Sequence, residues 1–257
     1  MSLRRILVLT RLNLLENVRK QVFHVLVLGA VVIIFSSTML SFFTLGVQVK
    51  ILKDLCLASI ILSAGMISIA LASGAIPGDV EAKTAYPILA RPVRRWEYVL
   101  GKYFGVMATT MVSVLLMAMA FGLLLFRYQH TIEPFMLTAI AFVVLESSVM
   151  AGITILLSTF TTPVAAAVVS FFVFVCGTVK IGYLGPVVNG SGVGIAKDLG
   201  GIIYHLLPNL ECFNFKDALV HGVAVPKPYM VLVAVYGASY AAFAIGAACG
   251  IFARREL

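Results

Sequence analysis

Long apolar runs separated by short polar segments dominate the chain. Each run is close to the roughly 20 residues that an α-helix needs to cross the hydrocarbon core of a bilayer. Pro77 and Gly78 follow the second run, and Pro163 lies at the start of the fifth, where a proline in the first helical turn is tolerated. The pattern predicts six spanning helices, at about residues 22–45, 55–76, 99–126, 135–157, 163–184 and 229–252.

The composition agrees with a membrane protein. Of the 257 residues, 61% are hydrophobic and 12% are charged, whereas a soluble domain has about 25% charged residues. These proportions exclude a soluble globular domain, an intrinsically disordered chain and a disulfide-rich secreted scaffold. We therefore expect an all-α, polytopic membrane protein that forms a single domain over residues 1–257.

Residues 2–21 precede the first run and show helical spacing. One face carries residues three and four positions apart, namely Leu3, Leu7, Thr10, Leu14 and Val18. Largely opposite to them lie the charged residues Arg5, Glu16, Arg19 and Lys20, although Leu9 and Leu12 also fall on that side. We interpret the segment as an amphipathic helix in the cytoplasmic interface, with its basic residues near lipid phosphates. A cytoplasmic extension of the first span is the alternative.

Basic residues are distributed unevenly between the two sides of the predicted membrane. If the N-terminus is cytoplasmic, the inner segments hold 12 Lys and Arg and the outer segments hold 7. Cytoplasmic loops collect basic residues, so both termini are expected in the cytoplasm and the protein in the plasma (inner) membrane. Because no basic run is interleaved with aromatic residues, we expect no nucleic-acid partner.

The cytoplasmic loop at residues 78–98 places basic and acidic residues close together in an otherwise apolar chain. Pro87 and Pro92 divide the loop into short pieces, since a proline disfavours helix at the preceding residue. Two short helices or turns would carry Leu89 and Trp96 on apolar faces. A short charged helix below two spans would transmit a force to both of them, while a plain solvated loop is the alternative.

The longest polar segment, residues 185–228, is expected on the outer side. It begins with a turn-rich stretch from Gly185 to Gly192. The apolar stretch from Leu199 to Leu207 is far too short to cross the membrane. We expect a small helical cap on the outer face.

Signatures of enzymes and metal sites are missing from the sequence. Tyr103 follows Gly101-Lys102, so no GxxxxGK[ST] phosphate loop is present, and HExxH is absent. The four cysteines have no CxxC spacing, and a disulfide between Cys56 and Cys212 is left open. We expect a chain that is not itself an enzyme and that holds no metal or cofactor.

Glu146 is the acidic residue deepest inside a predicted span. A charge at the bilayer centre is costly, so this side chain should face protein or water. It would line a polar substrate path or bond across a dimer, or it would simply bond a neighbouring helix.

Gly101-xxx-Gly105 and Gly246-xxx-Gly250 favour close packing of the third and sixth spans.

At the cytoplasmic loop the sequence resembles the type-2 permeases of ATP-binding cassette (ABC) exporters. In that family the loop carries an acidic residue, a Thr, Pro-Val-x-Arg and then Gly-Lys. Here these are Glu81, Thr84, Pro92-Val93-Arg94-Arg95 and Gly101-Lys102. The basic C-terminal tail is also similar, whereas Lys83 stands where the family usually has Gly before the Thr.

The resemblance implies a coupling helix that sits in a cleft of a separate cytoplasmic ATPase. Residues expected to couple to that ATPase are Glu81, Thr84, Leu89, Arg91, Pro92, Arg94, Arg95, Trp96 and Glu97. It also implies two ATPase subunits, a second permease chain, which we expect to be identical, and ATP and Mg²⁺ bound in the ATPase. The segments 199–207 and 211–220 would form the outer cap.

Two other functions stay open from the sequence. One is an intramembrane enzyme, a protease or a lipid transferase, which needs catalytic groups at membrane depth where only Glu146 is found. The other is a non-transporting membrane anchor of an assembly complex.

Overall fold

Helices follow the apolar runs through the part of the chain that the computed structural model describes, residues 2–41, 48–81, 94–129, 134–179, 207–221 and 225–254. In chain order they are α1 (Ser2–Arg19), α2 (Gln21–Ser41), α3 (Gln48–Ser73), α4 (Pro77–Glu81), α5 (Arg95–Gln129), α6 (Pro134–Ser158), α7 (Pro163–Thr178), α8 (Lys216–His221) and α9 (Lys227–Arg254). A single 3-10 turn, Glu211–Phe213, precedes α8. These ranges contain no β-strand, in agreement with the predicted all-α class.

Four helical stretches are long and apolar enough to cross a membrane. They are Val49–Glu81, Arg95–Tyr128, Phe135–Ser158 and Lys227–Arg254. The helices α1 and α2 meet at a bend of 66° and make a fifth candidate only when they are taken together. The described residues therefore hold four or five candidate spans.

The two predicted spans that do not qualify on their own are those at α2 and α7. Helix α7 has 16 residues, about 24 Å at 1.5 Å per residue, which is shorter than the roughly 30 Å hydrocarbon core. The predicted first and fifth spans extend to residues 45 and 184, outside the described ranges. Six spans therefore stays a prediction.

The second predicted span runs about one turn further than expected. A turn follows Ser73, but Pro77 then opens α4, a position where its missing N–H costs no helical bond. The backbone N–H of Gly78 donates to Gly74 O at 3.1 Å, and that of Val80 donates to Ile76 O at 3.2 Å. The predicted end at Pro77 and Gly78 is therefore too early, and the helical path continues to Glu81.

Helix α3 lies at the centre of the described bundle, where it packs against α2, α5, α6, α7 and α8. Helix α1 packs along α5, and α9 packs along α6. Gly65 on α3 shows how close the helices approach, because a Cβ atom built there would lie 2.6 Å from Phe174 Cε2 on α7. Such close packing is what holds helices together in lipid.

Many buried Ser and Thr hydroxyl groups within these apolar helices are bonded to their own helix. Thr109 donates to Gly105 O at 2.8 Å, Ser147 to Val143 O at 2.8 Å, and Thr154 to Met150 O at 2.7 Å. Buried polar groups need such partners, and the preceding turn of the helix provides them. These side chains satisfy themselves without linking helices.

The described part of the predicted outer segment is anchored to the bundle by aromatic residues. Phe213 and Phe215 are buried, and the ring centroid of Phe215 lies 4.4 Å from that of Phe142 on α6. The Lys216 ammonium group lies 3.0 Å from the Asp54 carboxylate on α3. The predicted cap segment 199–207 lies outside the described residues except for Leu207.

Cys56 and Cys212, whose pairing in a disulfide was left open, are free thiols.

Candidate functional site

A cluster of buried charges joins the two ends of the predicted cytoplasmic loop. Lys102 Nζ on α5 lies 2.7 Å from Asp79 Oδ2 on α4. The Tyr98 hydroxyl donates to the same Asp79 oxygen at 2.7 Å. Lys102 and Asp79 are only 6% and 8% exposed. Ions so far from water persist only when they are paired and hydrogen-bonded, and these two meet both conditions.

Helix α1 completes this cluster. Glu16 Oε2 lies 3.7 Å from Lys102 Nζ, and its other oxygen lies 3.1 Å from Lys20 Nζ. Asn13 Nδ2 donates to the backbone carbonyl of Lys102 at 2.9 Å and is buried. Polar contacts therefore bind α1 to α5. We name the whole cluster the polar junction: Asn13, Glu16, Asp79, Glu97, Tyr98 and Lys102.

Two glycines let α1 approach α5 closely enough for these bonds. A Cβ atom built on Gly101 would lie 2.6 Å from Leu9 Cβ, and one on Gly105 would lie 2.5 Å from Asn13 Nδ2. Real Cβ atoms do not come so near, so a larger residue at either position would push α1 away from α5. The predicted role of Gly101-xxx-Gly105 in close packing is confirmed, with α1 as the partner. Around Gly246 and Gly250, by contrast, a Cβ atom would meet nothing within 4 Å.

Glu97 caps the start of α5 and reaches back to α1. Its Oε2 accepts the backbone N–H of Arg94 at 3.0 Å, the reciprocal half of a capping box. The same oxygen lies 3.8 Å from Arg5 Nη1. Only 2% of Glu97 is exposed. This carboxylate therefore holds the point where the predicted loop re-enters the helical bundle.

Arg95 joins the same region to the last helix. Its Nη1 donates to the carbonyl oxygens of Phe252 and Ala253, at 3.3 Å each. The last carbonyls of a helix have no partner within that helix, and a cationic donor also suits the negative end of its dipole. Tyr98 stacks on Phe252 with ring centroids 5.7 Å apart. The first turn of α5 is thus tied to α1, α4 and α9.

A cavity of about 410 Å³ opens beside the polar junction. Leu9 and Leu12 of α1 form an apolar wall, while Glu16, Lys20 and Lys102 form part of a charged one. The charged groups on that wall are already paired with one another. We therefore interpret the cavity as space between α1 and the helices that it braces.

The predicted coupling residues fall into three groups. Glu81 and Arg94 are exposed at the two ends of the loop, and Trp96 is 38% exposed. Arg95 and Glu97 are turned toward the bundle. The remainder, Thr84, Leu89, Arg91 and Pro92, lie outside the described residues.

Glu146 lies well inside α6 and is 3% exposed. Phe142 and Met150, one turn before and one turn after it, belong to an apolar cluster with Ile69 and Phe174. Glu146 lines neither the cavity beside Lys102 nor a groove on the outer part of α9 beside Tyr236. The structure thus places this carboxyl group among apolar side chains, away from the polar junction.

The sequence predictions missed the polar junction as a site. Sequence patterns place Asp79 and Tyr98 in the cytoplasmic loop and Lys102 in the Gly-Lys pair, but they neither bring these residues together nor single out Asn13. An available signal was the pair of charges, Asp79 and Lys102, that lie at the borders of two predicted spans. Asn13 carries no such signal, because its role depends on which face of α1 meets α5.

The sequence model of a family described as ABC-2 family transporter protein matches residues 6–218. The matched range includes most of α1, all of α2 to α7 and every residue of the polar junction. Among curated proteins, no match to the chain was found.

Proposed function

Because the chain belongs to the ABC-2 family of transporter proteins, we propose that it is the permease subunit of an ABC exporter, driven by a separate ATPase subunit. Family membership and the apolar helices make it a multi-pass membrane protein that associates with an ATP-binding subunit. We propose in addition that transport is outward and that coupling runs through the loop between α4 and α5.

The polar junction supports coupling through the loop between α4 and α5. Asp79 precedes that loop, and Arg94, Glu97, Tyr98 and Lys102 follow it. Salt bridges and hydrogen bonds across the loop's base hold its two ends together and bind both to α1. A push on the loop would therefore move α1, α3 and α5 as one body instead of bending a single helix.

In this proposal the coupling residues divide into two roles. Glu81, Thr84, Leu89, Arg91, Pro92, Arg94 and Trp96 meet the ATPase. Arg95 and Glu97 position that surface, since one caps the end of α9 and the other caps the start of α5. The ATPase would bind ATP and Mg²⁺, and this chain would hydrolyse no nucleotide by itself.

We further propose six spans, with both termini in the cytoplasm and α1 in the cytoplasmic interface of the plasma membrane. The distribution of 12 basic residues on one side and 7 on the other supports this orientation. A second, identical chain and two ATPases would complete the transporter. Glu146 is buried within this subunit, so it would reach a substrate path between the paired chains only when the helices move apart.

Charge reversal at Arg94 tests the coupling surface. The Arg94 side chain is exposed, and its bonds to Glu97 and Tyr98 of the polar junction are made by its backbone N–H and carbonyl groups. Arg94→Glu should therefore leave the fold intact. Arg127→Glu is the matched control, since Arg127 is also exposed but lies at the opposite end of α5. Arg95 is less suitable, because reversing it would also remove the contacts with Phe252 and Ala253.

Tagged chains would be purified from native membranes, and the copurified ATP-binding subunit and its ATP hydrolysis would be measured. We expect Arg94→Glu to reduce both by about tenfold or more, since reversing an interface charge costs several kcal/mol. The control should copurify normally. If Arg94→Glu retains the ATPase and its activity, the coupling surface is wrong. If ATP is hydrolysed but reconstituted vesicles show no flux, the chain is an anchor.

Labelling of Glu81→Cys tests the orientation. The variant would be made in a chain whose four native cysteines are replaced by Ala, and treated with a membrane-impermeant maleimide. We expect labelling only after the cytoplasmic side is opened. Labelling from the outer side would place the loop beyond the reach of a cytoplasmic ATPase.

A further inference from the structure

The side of α1 that faces away from the protein combines apolar residues with arginines. Leu7, Val8, Leu12 and Leu15 are 67%, 60%, 54% and 51% exposed, and Leu12 lies at the edge that also borders the cavity beside Lys102. Arg4, Arg11 and Arg19 are also exposed. At 100° per residue these seven positions fall within an arc of about 140°. We call this arc the outer face of α1.

The outer face contains no acidic residue. The one carboxylate in α1 is Glu16, and it is directed toward Lys20 and Lys102. The three exposed arginines are therefore not neutralised by an acid of their own helix on this face. The face carries a net positive charge beside a large apolar surface.

The contacts with α5 prevent α1 from rolling to hide its outer face. Leu9 fits against Gly101, and Asn13 bonds the backbone of Lys102. Arg5 pairs with Glu97. The polar groups that bond α5 are therefore turned inward, while the exposed leucines and the three arginines stay outward. Such a surface is stable only where an apolar medium meets it.

We infer that the outer face of α1 binds the headgroups of anionic phospholipids. The leucines would lie at the boundary of the acyl chains, and each guanidinium group would bond phosphate oxygens in a forked geometry. Charge complementarity selects the lipid, because basic groups at a membrane surface attract anionic headgroups. The inference requires the membrane location of the chain but no ATPase, so the purified full chain suffices to test it.

Tryptophan quenching by brominated lipids measures which lipid touches this face. The chain has one tryptophan, Trp96, so Trp96→Phe with Leu15→Trp places the only indole between Arg11 and Arg19. This protein would be reconstituted in phosphatidylcholine bilayers with 20 mol% phosphatidylglycerol, with bromine on an equal amount of one lipid or the other (about 20 mol% in each case). The ratio of the two quenching efficiencies reports the enrichment of the anionic lipid.

We expect phosphatidylglycerol to quench more strongly, with an enrichment of roughly twofold or more that falls at high salt. Arg4→Gln, Arg11→Gln and Arg19→Gln together should bring the ratio to about one. The matched control is Lys50→Gln, Arg127→Gln and Lys227→Gln, which removes the same charge from other exposed positions and should leave the ratio unchanged. The three single arginine variants give a graded series if the triple variant fails to fold.

Two results would overturn the inference. Equal quenching by both brominated lipids would mean that the face touches lipid without selecting a headgroup. The absence of quenching by either lipid would mean that protein covers the face, for example a second chain. Neither result bears on the ATPase, whose partnership is tested separately through Arg94.

Discussion

The Lys102 ammonium group and the Asp79 carboxylate lie 2.7 Å apart and join the end of one candidate span to the start of the next. Both side chains are almost fully buried, and the Tyr98 hydroxyl bonds the same carboxylate. This pair closes the base of the loop between α4 and α5. In the proposed coupling, it would pass a force on that loop to both helices.

Removing only one of the two charges should lower the stability of the protein strongly. Lys102→Met or Asp79→Asn alone leaves the other buried charge without this partner. Either substitution should therefore destabilise the protein by about 3–5 kcal/mol. The double variant should cost less than the sum of the two, because it leaves no unpaired ion. Thermal unfolding in detergent of the wild type, both single variants and the double variant measures this coupling.

An exposed salt bridge is the control for that cycle. Asp54 lies 3.0 Å from Lys216, but its side chain is 46% exposed. Asp54→Asn should therefore cost no more than about 1 kcal/mol. Additive effects at Lys102 and Asp79, or an equally large loss at Asp54, would contradict the importance of the buried pair.

Enlarging the glycines under α1 should loosen that helix. In Gly101→Ala and Gly105→Ala the new methyl group would overlap Leu9 or Asn13, so α1 must move away from α5. Limited trypsin digestion should then cut after Arg11 several times faster than in the wild type. Such overpacking typically costs about 1–3 kcal/mol.

The second glycine pair provides the comparison. Gly246→Ala and Gly250→Ala add a methyl group where nothing lies within 4 Å. These variants should be neutral or slightly stabilised, since Ala is favoured over Gly in helices by about 1 kcal/mol. Equal digestion rates for the two pairs would show that the close approach of α1 is unimportant.

Replacing Glu146 separates its effect on the stability of the protein from its proposed part in transport. Glu146→Gln keeps the shape of the side chain and removes an ionisable group from an apolar region, so the unfolding temperature should stay the same or rise. If Glu146 faces the substrate path, ATP-driven flux in reconstituted vesicles should fall by about tenfold, as for the loss of one strong polar contact. Unchanged flux would mean that the carboxyl group has no part in transport. Asp54→Asn, which removes an exposed carboxylate outside the polar junction, is the control for a lost carboxylate.

Much of the architecture follows from apolar runs and prolines. The observed bounds of α5, α6 and α9 lie within a few residues of the predicted spans, because an apolar run of spanning length has few alternatives to a helix in lipid. Thr162 caps α7 directly before Pro163, where a helix start was expected. The helix at the N-terminus was also predicted from its spacing.

The spacing of residues in α1 did not specify which of its faces meets α5. The expected apolar face included Leu7, which is 67% exposed, while Arg5 and Glu16 from the opposite face contact α5. Hydrophobic periodicity indicates that two faces differ, but it does not say whether lipid or protein covers the apolar one. The glycines and polar groups of α5 decided this.

The order of apolar and polar segments alone determined that this chain is an all-helical membrane protein with a charged loop between its second and third predicted spans. Local burial and helix propensity act within a few turns, so they can be read along the chain. Only the tertiary structure decided that Asp79, Lys102 and Asn13 meet at the base of that loop. These residues are far apart in sequence, and their pairing depends on how three helices pack, which no local pattern records.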